Sequence, residues 1–255
     1  MDTLLTSCSD IGIRKKSNQD SHCVRMAETA SGKVIMLVVC DGVGGLFGGE
    51  IASADVILAF AKWFDSELPQ WPQPIAIERV RQRWDEILQE RNDKIVAYGN
   101  IANARLGTTF TALFVAPDGN YLIGNVGDSR VYRANGVLTA MTKDHTVAAQ
   151  AVRDGSMTET EAKGSRGRSV LTQCVGAVPD LHPDYFTGFI GEGMLWLLCS
   201  DGFRNRISEA EILKGIEPET CADEQALHAR LSELIDICKR RGETDNITAV
   251  AMKLI

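Results

Sequence analysis

The sequence predicts an α+β fold, and three observations carry that reading. Strand-like runs follow one another without strict β-α-β alternation, which points to antiparallel pairing. Pro117-Asp118-Gly119-Asn120 separates two of these runs as a hairpin turn. Three longer segments repeat apolar residues at helical spacing, as helices packed on a sheet do.

Taken in order, residues 34–40 open the list of β-branched, apolar strands. The first helix follows: Ala52, Val56, Ala59, Phe60, Trp63 and Phe64 form one stripe that ends before Pro69. In the second helix the stripe is Val80, Trp84, Ile87, Leu88 and Ile95. Strands are then expected at 108–115, 121–125 and 130–133. Residues 153–169 are polar and turn-rich, an excursion from the core with room for one short helix and mobility expected of it. A strand at 194–200 leads to the third helix, striped by Leu227, Leu231, Leu234, Ile235 and Cys238 and stopped near Gly242. Residues 247–254 form the last strand.

Composition narrows the function. A chain of 255 residues buries a good core, and with no repeat, long linker or low-complexity tract it reads as one domain over 1–255. A net charge of −7 argues against nucleic-acid or membrane-surface binding, which select basic faces. Seven cysteines without Cys-x-x-Cys spacing give neither a disulfide framework nor a zinc site. Cys40 and Cys199 sit in apolar runs and read as buried small hydrophobes. The first ten residues lack a basic start and an apolar stretch, and no run is long enough to span a bilayer, so a reducing cytoplasm is the expectation.

The chemistry lies at the strand ends. Val38-Val39-Cys40-Asp41-Gly42 and Leu197-Leu198-Cys199-Ser200-Asp201-Gly202 are apolar runs that stop at Asp-Gly. Two carboxylates brought to one rim repel unless a cation lies between them, and hard divalent ions favour such oxygen-rich sites. Asp20 precedes another strand, Asp128 lies between two, and Asp245 stands just before the last. Each aspartate alone also fits a turn role, since its side chain can bond its own backbone. Other chemistries fit worse: Gly42 to Gly49 lacks the Gly-Lys-Ser/Thr ending of a P-loop, no Gly-x-Ser-x-Gly elbow occurs, and four histidines are scattered. His145 is open to a functional or a loop role.

In order, the chain carries Lys15-Lys16-Ser17-Asn18-Gln19-Asp20, Asp41-Gly42-Val43-Gly44-Gly45, Gly107-Thr108-Thr109, Gly127-Asp128-Ser129-Arg130, Ser200-Asp201-Gly202 and Asp245-Asn246-Ile247-Thr248. This series resembles the metal-dependent serine/threonine protein phosphatases of the type 2C class, especially compact bacterial members, from about residue 8 onward. The resemblance implies a four-layer α-β-β-α sandwich with two central antiparallel sheets and a metal centre at one end. It implies Mg or Mn as cofactor: two core divalent ions, with Asp41 bridging them, the Gly42 carbonyl on the second, and Asp201 and Asp245 on the first. Asp128, with Asp201 shared, matches the ligand of a third, weaker ion, and Asp20 an acidic residue acting through metal-bound water. Residues 146–170 fall where the family has a flap.

The reaction so implied is hydrolysis of phosphoserine and phosphothreonine in protein substrates, targets of a serine/threonine kinase, by direct attack of a metal-bridging hydroxide. A monomer is expected. Two departures stand out. An arginine that binds substrate phosphate is expected five positions before Asp20, where this chain has Lys15 beside Arg14; lysine offers a point charge instead of a bidentate fork. Val43 stands where some relatives have histidine, so no general acid is assigned. Two alternatives remain: a pseudophosphatase used as a regulatory binding module, and a metal-dependent hydrolase of small phosphate esters.

Overall fold

The computed structural model describes residues 3–43, 48–217 and 220–255. The order is β1 (Thr3–Asp10), β2 (Asp20–Thr29), β3 (Gly32–Asp41), α1 (Gly49–Lys62), α2 (Ile77–Ala102), β4 (Phe110–Val115), β5 (Asn120–Val126), β6 (Arg130–Ala134) and β7 (Leu138–Ala140). Then come α3 (Val147–Arg153), α4 (Glu159–Gly164), β8 (Asp184–Phe189), β9 (Leu195–Cys199), α5 (Asp201–Arg204), α6 (Glu209–Gly215), α7 (Glu224–Arg240) and β10 (Ile247–Leu254). These strands make two antiparallel sheets, ordered β1-β10-β9-β6-β7 and β2-β3-β4-β5-β8.

Side-chain alternation along the central strands places the layers. On β3, Met36, Val38 and Cys40 pack with Phe60 of α1 and Trp84 of α2, while Ile35, Leu37 and Val39 face the other sheet. On β9, Leu197 and Cys199 pack against Leu231 and Leu234 of α7, while Trp196 and Leu198 face inward. The period of two on both strands means that each sheet is buried on both faces. The result is the expected α-β-β-α sandwich. The outer layer on β3 is aromatic: Trp84 meets Phe60 and Phe110 edge-on, at centroid distances of 5.5 and 5.8 Å. Each such ring removes enough apolar surface from water to contribute about 2–3 kcal/mol.

One expectation is met and one is corrected. The excursion at 153–169 holds one short helix, α4, followed by a 3-10 turn at Arg166–Ser169, and α3 ends where it begins. Thr146 caps α3, and Thr158 with Glu161 closes a capping box on α4, so local capping starts both helices. Four strands lacked a strand assignment: β1, β7 and β8 altogether, and β2, marked only as whatever follows Asp20, which is in fact its first residue. All four are sheet edges.

Candidate active site

Both sheets end their central strands at one rim of the sandwich. Asp20 and Asp41 stand directly opposite each other across β2 and β3. Asp201 follows β9 and opens α5, where the helix N-terminus favours a negative side chain. Asp245 precedes β10 and Asp128 lies between β5 and β6. Asp41 lies in the fields of Asp20, Asp201, Asp128 and Asp245, so the five sequence-predicted carboxylates share one electrostatic neighbourhood.

The two Asp-Gly corners are built by crowding. A Cβ on Gly42 would stand 2.7 Å from the Gln19 carbonyl oxygen, and one on Gly202 would stand 2.1 Å from that of Asn246. Only glycine lets those backbones pass so closely. The backbone N–H of Gly42 donates to Gln19 O at 3.1 Å, tying the Asp41 corner to the loop before β2. Of the glycine-rich stretch, Gly44, Gly45, Leu46 and Phe47 lie outside the described residues.

Threonines hold Asp41 by its backbone. Its N–H donates to Thr109 Oγ1 at 2.9 Å, and its carbonyl accepts from Thr108 Oγ1 at 2.9 Å. Asn246 performs the same service for the loop bearing Arg14 and Lys15. Its Nδ2 donates to Ile11 O and Ser17 O at 2.9 and 3.2 Å, and its Oδ1 accepts from Gln19 N at 2.9 Å. From that loop Lys15 reaches inward, with Nζ 2.7 Å from Asp245 Oδ1, whereas Arg14 is exposed. Burial works against the Lys15 charge, but Asp245, Asp41 and Asp201 outweigh it and raise its pKa.

Burial is also the main cause of the carboxylate shifts. It raises Asp41 well above the ordinary value, with Asp20 and Asp201 adding repulsion. It lifts Asp20 to about 6 despite the Ser200 hydroxyl, which donates to Asp20 Oδ2 at 2.8 Å. Asp201 is raised by burial and by Asp245, with Arg204 opposing. Burial also raises Asp128, to about 7.

These shifts, together with Asp20 Oδ1, which is buried and has no hydrogen-bond partner, are what a multivalent cation would relieve. The oxygen-only donor set suits magnesium or manganese. Among the described residues no three His, Cys, Asp or Glu side chains are already drawn together at ligand spacing. Cys40 and Cys199 are fully buried, and burial raises both thiols, Cys199 to about 12, so neither is a nucleophile.

The residue that sequence reading missed is Arg204, on the opening turn of α5. Its Nη2 donates to the Asp128 carbonyl at 2.7 Å and to Asp144 Oδ2 at 3.2 Å, and lies 3.8 Å from Asp128 Oδ2. Arg130, inside the Gly-Asp-Ser-Arg motif, makes a bidentate pair with Asp144, with Nε and Nη2 donating at 2.7 and 2.8 Å. Burial alone would raise Asp144, but Arg130 and Arg204 hold it below the usual carboxylate range. His145 proves structural: its Nδ1 accepts from Gly127 N at 3.3 Å and its Nε2 meets Asp184 Oδ2 at 3.1 Å.

Comparisons with known proteins identify the family. The sequence profile of the family described as Protein phosphatase 2C matches residues 13–236, and the chain belongs to that family. Among its relatives is the protein phosphatase PhpP of Streptococcus pneumoniae, 28% identical over 251 residues, covering 96% of this chain and 95% of that one. The solved Streptococcus agalactiae serine/threonine phosphatase superposes with a TM-score of 0.85 at 27% identity, covering 100% of both chains. The catalytic domain of the serine/threonine protein phosphatase PstP, solved in complex with two manganese ions, gives 0.78 at 28% identity and 99% coverage of both. Among the described residues no helix is long and apolar enough to cross a membrane.

Proposed function

We propose that the protein removes phosphate from phosphoserine and phosphothreonine side chains with two divalent ions, magnesium or manganese, held at the rim. Asp41, the Gly42 carbonyl, Asp201 and Asp245 are the residues that would hold the ions, with Asp41 shared between them. The observation that carries this is the gathering of strand-end carboxylates around Asp41, whose own pKa is raised by burial and by the fields of Asp20, Asp201, Asp128 and Asp245. When bound, the ions supply a Lewis-acid centre that activates water and offsets charge on the phosphoryl oxygens.

The chain's own residues do the rest. Lys15 and exposed Arg14 neutralise the incoming phosphoryl group from the loop that Asn246 pins. Asp20 is fixed through Oδ2 by Ser200, leaving Oδ1 free to orient the attacking water. Attack in line forms a P–O bond to the water oxygen and breaks the P–O bond to the serine or threonine oxygen, which leaves as the hydroxyl with the proton that the attacking water gives up. No side chain is assigned as the proton donor, consistent with Val43 after the Asp41-Gly42 pair.

The reading extends to setting. Its substrates are cytoplasmic targets of a serine/threonine kinase, and it acts as a monomer and a single domain, with residues 146–170 as a flexible flap beside the site. Seven free, buried cysteines support a reducing compartment.

The test is turnover of a phosphothreonine peptide with and without Mn²⁺, for the wild type and Asp201→Asn. Metal-dependent turnover that falls about a thousand-fold in the variant is expected, roughly the loss of several kcal/mol of charge stabilisation. Metal binding without turnover would instead show a pseudophosphatase. Turnover of small esters but not peptides would show the other alternative.

A further inference from the structure

The five carboxylates divide by the company they keep. Asp20, Asp41, Asp201 and Asp245 carry up to four negative charges, and Lys15 is the cation paired within that set, through Asp245. Asp128 faces Asp201 on one side, and it also has an arginine beside it. It shares Arg204 with Asp144, and Asp144 is shared in turn by Arg130. That group sets two fixed positive charges against at most two negative ones, and its arginine and aspartate side chains are only 10–25% exposed. Glu209, 3.7 Å from Arg130, is 58% exposed and screened by solvent.

Resting on the two-ion reading above, we infer that Arg204 is the cation that serves Asp128 in this chain, so that Asp128 is not a ligand of a third divalent ion. A divalent ion beside Asp128 would stand near a guanidinium that is always charged and whose Nη2 is held by the Asp128 carbonyl and Asp144. Like charges so close in a buried setting repel strongly. The carboxylate of Asp128 therefore meets a protein cation, and Arg204 acts as a positioning residue. It ties the loop between β5 and β6 to α5, the short helix that Asp201 opens. In this protein two ions complete the site.

Mn²⁺ titration of the metal-stripped chain, followed by calorimetry and by the loss of the free-ion electron paramagnetic resonance signal, tests this. The wild type should take up two ions, and Asp128→Asn should leave that count unchanged. Arg204→Thr should gain a third binding event, and adding Asp128→Asn to it should abolish that gain. Arg130 still pairs Asp144 in Arg204→Thr, and circular dichroism checks its fold. Three ions on the wild type, or a count that drops in Asp128→Asn, would overturn the inference while leaving the phosphatase reading intact. No uptake at all would overturn both.

Discussion

Two acidic groups share one end of this sandwich and solve the same electrostatic problem in opposite ways. Around Asp144, two arginines hold the carboxylate below its usual pKa, with bidentate geometry from Arg130. Around Asp41, burial and neighbouring aspartates push the carboxylate well above it, and Lys15 is the lone protein cation paired there among the described residues. The first group is closed by the protein itself. The second is left short of positive charge, and a site in that condition takes up cations and, through them, a phosphoryl group. The difference separates scaffold from chemistry among residues of one type.

Breaking the closed group should cost the most. Arg130→Met strands Asp144 with Arg204 alone and should destabilise the fold by about 3 kcal/mol, read as a shift in the urea midpoint; removal of one partner from a buried pair has that scale. A variant within a few tenths of a kcal/mol of wild type would mean that the pair contributes nothing net.

The next effect has a sign that differs between the groups. Asp20 and Asp41 have raised pKa values, so between about pH 4 and pH 6 or higher the folded, metal-stripped chain holds protons that the unfolded chain releases. Their contribution to stability is present at the acid end and is lost as pH rises, by on the order of 2 kcal/mol. Asp144, with its lowered pKa, works the other way: its contribution is present above about pH 4 and is lost as pH falls. Stripped protein should therefore gain more in melting temperature from Mn²⁺ at pH 7.5 than at pH 5. An equal gain at both would contradict the charge-starved reading of the rim.

Lys15→Met should have the smallest effect. The Lys15–Asp245 pair is 29% and 40% exposed, so its loss should cost the stripped protein only about 0.5–1 kcal/mol after solvent screening. The manganese-loaded protein should not feel this, because the ions then supply the counter-charge. Thermal melts in both states compare the two directly, and an equal loss in both would mean that Lys15 matters for packing alone.

The legibility of the fold follows burial. The six strands read from sequence, β3, β4, β5, β6, β9 and β10, are the sheet interiors, buried on both faces and therefore written as continuous apolar runs. The edges β1, β2, β7 and β8 were not assigned as strands because they are half-buried and polar, as in Thr-Ser-Cys-Ser-Asp of β1. At the site, Asp20, Asp41, Asp128, Asp201 and Asp245 announced themselves by ending or flanking strands. Nothing local announced Arg204, whose partners lie 76 and 60 residues away along the chain.

By itself, then, the sequence determined which strands form the core and where carboxylates stop them, because apolar periodicity and Asp-Gly corners are local properties of the chain. Only the tertiary structure decided which of those carboxylates are answered by protein cations. Charge compensation depends on distance through space, and Arg130 and Arg204 meet Asp144 only once the chain has folded.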